Sequence, residues 1–480
     1  MKIQVMQGVL NPERMSVQDR DCSCDSPSKI PLKDGDCSCD APAARGAFQD
    51  PVSFVSYALI HSSQFTDTPT QPQPQKISSE FIPVKSTPAF SPNASHLTLY
   101  PVLVPVAGAS CWKALSAWFH LTDRCNLRCD YCYLPHRPQD MSVETGRAAV
   151  HALFRSAQSH AYTGVKIMYA GGEPLLRFPL ILELHGYAQQ LAEVQPIYLD
   201  EVVLSNGTLL TPEMVQALKT RGIRLMISLD GLGTGHDAQR HFADGKGSFE
   251  KVSQAVELAL EHGLPPSISI TVTGRNAAGL AELVEWVLER GLIFQLNFYR
   301  QSLFSQSHAD LQLEEQAILA GIQAALKVIE HHLPRFSLLG ILDRTTLAYP
   351  HTLPCGAGAD YLVFTPQGGI AQCQMLLHHP VTTVHDPDPV SHIRADKYHL
   401  INPPVDERGE CAECSWRYWC GGGCPLETRR VMHSPYHRSP NCRIYQTIFP
   451  ELIRLEGLRL LHYASDPQVV RTQWLELQPA

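Results

Sequence analysis

Three cysteines are spaced so that they could hold an iron–sulfur cluster with one iron left open. Cys125, Cys129 and Cys132 form the pattern C-x3-C-x2-C in the segment DRCNLRCDYCYLP. A loop can wrap three such thiolates round a four-iron cubane, which normally takes four cysteine ligands. The remaining iron could take an outside ligand, as open zinc sites do in catalysis. The alternatives are unligated thiols or a zinc site, for which His136 is available but lies beyond Pro135.

Seven further cysteines are closely spaced in the last third of the chain. Their spacing is C-x12-G-x4-C, then C-x2-C-x5-C-x3-C, then a single C, with Gly368 as the glycine. They are Cys355, Cys373, Cys411, Cys414, Cys420, Cys424 and Cys442. C-x2-C pairs also bind zinc, so a zinc ribbon is an alternative, although two zinc ions would need eight ligands.

Strand and helix patterns alternate from residue 116, and the first cysteine motif follows the first strand. The predicted strands are 117–122, 165–170, 201–207, 224–231, 267–274 and 294–299, and the predicted helices are 142–158, 176–194, 212–221, 249–262, 277–290 and 312–332. Ser142 is the predicted N-cap of the first helix, and Gly222, Gly263 and Gly291 stand where left-handed C-caps belong. This alternation predicts an α/β fold with a partial parallel (β/α)6 TIM-like barrel. Its strand C-terminal ends should carry the chemistry.

Composition divides the chain into four predicted regions. Residues 1–110 are rich in Pro and Ser and predict a largely irregular extension. Residues 111–335 contain the barrel, and residues 336–455 a small cysteine-rich domain with a hairpin at 360–376 and little room for a hydrophobic core. Such a domain would be stabilised by metal. Residues 456–480 are predicted to be a C-terminal tail.

Short polar motifs end the second, third and fourth strands in a fixed order. They are GGEP (Gly171, Gly172, Glu173, Pro174), SNG (Ser205, Asn206) and SLDG (Ser228, Asp230), followed by Arg240 in HDAQR. Together with the cysteine motif, in which Tyr131 precedes the third cysteine, they resemble the radical S-adenosylmethionine (SAM) superfamily. The resemblance implies that Tyr131 is a cofactor-binding residue and that GGEP binds the SAM amino group. It further implies that the SNG and SLDG residues contact the ribose and that Arg240 pairs with the SAM carboxylate. It also implies reductive cleavage of SAM to a 5′-deoxyadenosyl radical, which abstracts hydrogen from a substrate.

The downstream cysteine pattern resembles the SPASM domain, an auxiliary-cluster domain of radical SAM maturases. By this resemblance Cys411, Cys414, Cys420 and Cys442 would hold one four-iron cluster, and Cys355, Cys373 and Cys424 another. Some relatives supply a fourth cysteine where this chain has Tyr361. The implied cofactors are therefore SAM, one SAM-binding [4Fe-4S] cluster and up to two auxiliary clusters. Whether the three-cysteine cluster keeps an open iron stays undecided at this point.

Five cysteines remain, and four of them lie in a repeat near the start. Cys22 and Cys24 lie in DCSCDSP, Cys37 and Cys39 in DCSCDAP. The repeat could be an inert acidic tail, a metal-holding or redox segment, or a substrate mimic of the downstream enzyme. The flanking aspartates disfavour thiolate, so these thiols should react poorly by themselves. Cys111 is predicted to be a small buried hydrophobe.

The net charge and the hydropathy of the chain limit which classes of binding partner are expected. The net charge of −8 and the pI near 6.3 argue against nucleic acid or an anionic membrane as the main partner. No run approaches the length of a spanning helix and no secretory signal is evident, so we predict a cytoplasmic protein whose cysteines bind metal.

The resemblance implies an enzyme that modifies a peptide or protein, with a cysteine-containing peptide as candidate substrate and a flavodoxin- or ferredoxin-type reductant. Crosslink formation, such as a thioether, is the leading hypothesis. The alternatives are oxidation of Cys or Ser to formylglycine, as in sulfatase maturases, and a non-catalytic iron–sulfur electron carrier. Formylglycine formation would call for a carboxylate base after the last barrel strand, where FQLNFYR has Asn297 and no acid.

Overall fold

The computed structural model describes residues 113–305, 307–466 and 469. The predictions for residues 1–110, the DCSCD repeat and Cys111 lie outside the described residues.

The described chain alternates strands and helices as the sequence predicts. The strands are β1 Ala114–His120, β2 Gly164–Ala170, β3 Tyr198–Ser205, β4 Arg224–Ser228, β5 Ser267–Val272, β6 Phe294–Phe298, β7 Tyr361–Phe364, β8 Gly369–Ala371 and β9 Thr382–Thr383. The helices are α1 Val143–Ser159, α2 Phe178–Val194, α3 Pro212–Thr220, α4 Thr234–Asp237, α5 Phe249–Glu261, α6 Leu280–Glu289, α7 Glu315–His331, α8 Pro389–Ala395, α9 Arg417–Cys420, α10 Pro425–Met432 and α11 Cys442–His462.

The first six strands form the predicted parallel sheet, in the order β6-β5-β4-β3-β2-β1. Every neighbouring pair among them is parallel, and His120 pairs with Ala170 where β1 and β2 end. The α/β prediction with a six-stranded parallel core is therefore confirmed. Because parallel strands share one C-terminal edge, the loops that follow them meet on the same side of the sheet.

Local capping signals also behave as predicted. The Ser142 side chain accepts a hydrogen bond from the Thr145 backbone N–H, which caps α1. Gly222, Gly263 and Gly291 have φ of 68°, 70° and 65°, the left-handed conformation that closes α3, α5 and α6.

The cysteine-rich region joins the barrel sheet. β7 is parallel to β1, with Phe119 opposite Phe364, and β8 and β9 extend the sheet as an antiparallel hairpin. The sheet therefore crosses the predicted boundary between residues 335 and 336. The last helix, α11, packs on α7 and contributes buried Phe449 to the main core, and it continues past the predicted boundary at 455. Much of the apolar packing of this region is therefore made against the barrel.

The structure shows no helix, among the residues it describes, with both the length and the apolar character needed to span a membrane.

Candidate iron–sulfur and SAM site

The first cysteine motif lies in the loop that follows β1, at the C-terminal edge of the sheet. The Cys132 backbone N–H donates to Cys129 O at 3.0 Å, which turns the loop so that the motif is compact. The loop pairs with the segment that carries Arg240, because Arg128 N donates to His241 O at 2.8 Å. The two segments, more than a hundred residues apart in sequence, therefore form one structural unit.

The three thiols of the first motif lie close together in a largely buried environment. Burial and the neighbouring charges raise the pKa of Cys125 and of Cys132 to about 12, and burial raises that of Cys129. Cys129 is among the groups that raise the pKa of the other two, so the three sulfur atoms lie close together. Thiols with raised pKa are protonated without metal, so a metal that binds here must displace their protons.

For a zinc ion at the first cysteine motif, the structure offers only part of the required ligand set. His136 Nε2 lies 3.7 Å from Cys132 Sγ, within reach of a shared ion. In the described part of the chain, however, no three His, Cys, Asp or Glu side chains are grouped closely enough to hold a metal ion. A cubane does not require such convergence, because each of its irons takes one thiolate.

The two glycines of GGEP allow the backbone of this motif to approach the cysteine loop closely. Gly172 N donates to Thr122 O at 2.6 Å, and Glu173 N donates to Arg124 O at 2.8 Å. A Cβ on Gly171 would lie 2.5 Å from Thr122 O, and one on Gly172 would lie 2.6 Å from the Arg124 carbonyl carbon. Only glycine allows the loop to approach this closely, so the motif holds the cysteine loop in place.

Glu173 is fully buried and links the ends of β2 and β3. Its Oε1 accepts from Leu175 N at 2.9 Å and Ser205 Oγ at 2.8 Å, and its Oε2 accepts from Asn206 N at 2.8 Å. Burial raises the pKa of this carboxyl, and the hydrogen bonds oppose that rise. The Asn206 amide reaches the cysteine loop, with Nδ2 3.8 Å from Cys125 Sγ. Because a carboxylate can accept about four hydrogen bonds, one position remains for a ligand.

Asp230 anchors two residues expected to face SAM. Its Oδ2 accepts from Tyr131 OH at 2.6 Å and Gln239 Nε2 at 3.1 Å, and its Oδ1 accepts from Thr271 N at 2.7 Å. Arg240 donates to Tyr131 OH and lies 3.7 Å from Asp230. The ribose contact implied for Asp230 stays a prediction, and the contacts seen give this carboxylate a positioning role.

Arg240 offers a buried cation with unused hydrogen-bonding capacity. Its side chain is only 8% exposed, and its Nε is buried without a hydrogen-bond partner. A buried guanidinium N–H without a partner is costly and fits an anionic ligand such as a carboxylate. The SAM carboxylate is therefore compatible with this position.

His236 connects Asp230 to the segment that carries Arg240 through hydrogen bonds. Its Nδ1 accepts from Asp230 N at 3.2 Å, and its Nε2 lies 3.0 Å from Ser248 Oγ, which donates to Arg240 O. Burial, followed by the charge of Arg240, lowers the pKa of His236 to about 3. The imidazole is therefore neutral, and its role is to hold these backbone and hydroxyl groups in place.

Two predicted residues occupy simpler positions. Ser228 ends β4 opposite Ser269 of β5 and is partly exposed. Pro174 is buried at the first position of a 3-10 helix that spans Pro174–Arg177.

Cys355, Cys373 and Cys424 are brought together although they are far apart in sequence. All three pack against one small apolar cluster, formed by Ala357, Leu400 and Leu426. Burial, and then Cys424, raises the pKa of Cys373 to about 12. The three-cysteine set that the SPASM resemblance implies is therefore also close in space.

Tyr361 lies beside these three cysteines. Its ring packs against the same cluster, and its hydroxyl donates to Gln374 Oε1 at 3.1 Å. The ring also packs against a neighbouring cluster of Leu134, Val363, Ala371 and Leu377, against which Cys132 packs as well. Tyr361 thus packs both beside the three-cysteine set and beside the cluster that Cys132 contacts.

The remaining four cysteines line one cavity. Cys411, Cys414, Cys420 and Cys442 face it together with Trp416 and Phe449. Burial and the neighbouring thiols raise the pKa of Cys411 to about 11 and of Cys420 to about 12. The four cysteines implied to hold the other auxiliary cluster therefore line the same cavity.

Sequence reasoning missed a buried polar group beside Cys424. Arg300 pairs with Asp343 at 2.8 Å, and the Tyr445 hydroxyl donates to Asp343 Oδ2 at 2.9 Å. Glu427, whose pKa burial raises to about 7, lies 3.9 Å from Arg300. These residues come from four separate segments, so no local spacing signals them.

Comparison with known proteins agrees with this geometry. Residues 119–287 match the Radical SAM superfamily. The antilisterial bacteriocin subtilosin biosynthesis protein AlbA of Bacillus subtilis is 22% identical over 348 residues, covering 68% of this chain and 70% of that protein. The AdoMet-dependent heme synthase of Methanosarcina barkeri is 32% identical over 181 residues, covering 37% of this chain and 48% of that protein.

The fold is shared with a solved structure. Native anSMEcpe with bound AdoMet superposes with a TM-score of 0.58 at 17% identity, covering 71% of this chain and 99% of that chain. Several curated relatives match over little more than half of their length, such as 58% and 54% for two archaeal proteins. The motif order, the cysteine loop and the family match lead to one conclusion: this chain contains a radical SAM domain, over residues 119–287.

Proposed function

We propose that the chain is a radical SAM/SPASM maturase, an enzyme that modifies a peptide or protein by radical chemistry. The observation that carries the proposal is the arrangement of ten cysteines in three groups, of three, three and four. The first group lies beside buried Glu173 and Arg240, and the other two lie in the region that joins the sheet through β7.

The first group would hold the SAM-binding cluster through Cys125, Cys129 and Cys132. When bound, the reduced cluster and SAM supply a 5′-deoxyadenosyl radical that takes a hydrogen atom from the substrate. Glu173 has one acceptor position left for the SAM ammonium, and Arg240 Nε has no partner of its own. These two residues would orient SAM by its amino and carboxylate groups.

The other two groups would hold auxiliary [4Fe-4S] clusters. Cys411, Cys414, Cys420 and Cys442 form a complete four-thiolate set around one cavity. Cys355, Cys373 and Cys424 supply three thiolates, with Tyr361 packed beside them.

The favoured reaction is a crosslink, such as a thioether, within a cysteine-containing peptide. Forming the bond removes one hydrogen atom from carbon, one proton from the thiol and one electron. The hydrogen atom goes to the 5′-deoxyadenosyl group, and an auxiliary cluster would accept the electron. A flavodoxin- or ferredoxin-type protein of the cytoplasm would supply the reductant for the next turnover.

Formylglycine formation is the second candidate, and the structure adds an observation on it. A carboxylate does lie beside the last barrel strand, because Phe298 N donates to Asp343 Oδ1 at 3.0 Å. Burial alone would raise the pKa of Asp343, but Arg300 and Arg344 outweigh burial and the pKa is lowered. A carboxylate held ionised by two guanidinium groups is a weak proton acceptor, so crosslinking stays the leading proposal.

Anaerobic reconstitution with iron and sulfide is the first test. Three four-iron clusters require about 12 iron atoms per chain. The reduced protein should cleave SAM to 5′-deoxyadenosine. An iron content near that of one cluster would contradict the auxiliary assignment, and failure to cleave SAM would favour the non-catalytic electron carrier.

The mass of a cysteine-containing peptide after turnover separates the reactions. A thioether crosslink removes two hydrogen atoms and keeps the sulfur. Conversion of a cysteine to formylglycine loses the sulfur and gains a carbonyl oxygen, and conversion of a serine leaves every cysteine thiol free to be alkylated. Repeating the turnover with Cys125→Ala protein should leave the peptide unchanged.

A further inference from the structure

Arg408 is a fully buried arginine in the segment that precedes Cys411. Its Nη1 donates to Gly422 O at 2.7 Å, its Nε to Pro403 O at 3.3 Å, and its Nη2 to Asn402 Oδ1 at 3.3 Å. Every one of these acceptors is a neutral amide oxygen. The hydrogen bonds satisfy the guanidinium geometrically but do not neutralise its charge.

Arg408 has no carboxylate partner among the ion pairs of the described residues. Acidic side chains close in sequence pair elsewhere: Asp406 lies 3.3 Å from Arg417, and Glu410 lies 3.5 Å from His437. A buried cation without an opposite charge costs several kcal/mol. An anion close to this guanidinium would therefore stabilise the protein.

The acidic groups that face Arg408 are cysteine thiols from both auxiliary sets. Burial lowers the pKa of Arg408, and Cys411, Cys355, Cys420 and Cys424 oppose that shift in decreasing order. Cys411 and Cys420 belong to the four-cysteine set, and Cys355 and Cys424 to the three-cysteine set. Contacts agree: Arg408 Nη1 also donates to Gly423 O at 3.4 Å, next to Cys424, and Asn402, which accepts from Nη2, donates from its Nδ2 to Cys355 O at 3.1 Å. The guanidinium therefore lies beside chain segments of both proposed cluster sites.

The backbone that joins the two sets is wrapped around this side chain. Three glycines separate Cys420 from Cys424, and their φ angles are 54°, 84° and 70°. A Cβ on the middle one, Gly422, would lie 2.6 Å from Arg408 Cδ. Positive φ and lack of space both exclude other residues at Gly422. The position of the cation relative to both sets is therefore fixed by the fold.

We propose that Arg408 is the shared counter-ion of the two auxiliary clusters and raises the reduction potential of both. The inference rests on the proposed cluster assignment. An iron–sulfur cluster becomes more negative by one charge when it is reduced, and its potential follows the local charge and burial. A fixed cation beside two such clusters stabilises the reduced form of each, which favours their use as electron acceptors.

The test is an EPR-monitored redox titration of reconstituted Arg408→Gln protein. Each auxiliary cluster should become harder to reduce by about tenfold, which equals 59 mV for a one-electron couple. The SAM-binding cluster serves as internal reference and should keep its potential. Arg408→Lys keeps the charge and should retain most of the wild-type potential. Arg429→Gln removes an exposed arginine of α10 and should shift neither potential, since water and salt screen it.

The outcomes are decisive in both directions. Unchanged auxiliary potentials in Arg408→Gln protein with full iron content would overturn the proposal. If Arg408→Gln protein loses iron instead, loss from both sites with retention in Arg408→Lys protein supports a shared counter-ion. Loss of iron from only one auxiliary site in Arg408→Gln protein would overturn the proposal. Loss of iron in both Arg408→Gln and Arg408→Lys protein would also overturn it. Wild-type iron content near that of one cluster would instead refute the proposed function, so the two failures remain distinct.

Discussion

The close approach between GGEP and the cysteine loop gives a prediction about both the stability of the iron-free protein and its iron binding. Gly172→Ala would place a Cβ 2.6 Å from the Arg124 carbonyl carbon, about 1 Å closer than ordinary contact allows. The neighbouring backbone is held by two hydrogen bonds, from Gly172 N to Thr122 O and from Glu173 N to Arg124 O. Because the obstacle is backbone, a rotamer change cannot relieve the clash.

The expected cost follows from these contacts. Two hydrogen bonds that are each worth about 0.5–1.5 kcal/mol would be weakened, for about 1–3 kcal/mol in total. Overpacking of a tight site costs a similar amount. The loop that carries Cys125 would be displaced as well, so the variant should bind iron at the first cysteine motif poorly.

The assay combines thermal unfolding of the iron-free protein with iron content after reconstitution. Gly186→Ala is the matched control, because Gly186 lies inside α2 and a Cβ there would meet nothing within 4 Å. It should raise the free energy of unfolding by about 0.5–1 kcal/mol. Gly172→Ala protein with wild-type stability and a full complement of iron would refute the structural role assigned to the glycine.

Three further predictions test other parts of the molecule. Asp230→Asn should weaken equilibrium SAM binding to the reconstituted protein about tenfold or more, because it disturbs Tyr131 and the neighbouring cation; unchanged affinity would contradict the positioning role. Burial lowers the pKa of His236 from 6.5 to about 3. Between these two pH values the unfolded chain binds more protons than the folded protein does, so folding stability is lost as the pH falls. By pH 5 the iron-free protein should lose about 2 kcal/mol through this residue, and His236→Gln should flatten the pH profile of the melting temperature. Phe449→Ala should cost about 3–5 kcal/mol in denaturant unfolding, because the ring is fully buried and packs on the rings of Trp416 and Tyr445. Leu461→Ala, 75% exposed on the same helix, should change little. Equal effects of the last two would show that α11 is not part of the core.

Much of the candidate site could be predicted from the sequence because its residues lie at the ends of consecutive strands. Connections between parallel strands are short and of one hand, so the order of motifs along the chain becomes their order along the sheet edge. This is why Ser205 and Asn206 meet Glu173 as their positions after neighbouring strands suggest. The two sets of downstream cysteines that the SPASM resemblance implies also correspond to groups of cysteines that are close in space.

The role of particular residues was less predictable, because it depends on which partner arrives from a distant segment. GGEP was expected to bind the SAM amino group, and the contacts show that its two glycines also make room for the cysteine loop. The segment FQLNFYR at β6 has Asn297 and no acid, and the carboxylate that lies beside this strand, Asp343, comes from the segment between α7 and β7. Neither contact leaves a periodic or spaced signal in the sequence.

The division of the downstream cysteines into two sets was implied by the SPASM resemblance. The sequence by itself determined the parallel α/β core and the chemical type of the metal ligands. These follow from hydrophobic periodicity, helix caps and thiolate chemistry, all of which act over short stretches of chain. Only the tertiary structure decided that β7 joins β1, that Asp230 holds Tyr131, and that Arg408 lies beside chain segments of two sets of thiols. Those features arise from side chains that meet only after the sheet has formed, when burial makes an unpaired charge or polar group too costly to leave without a partner.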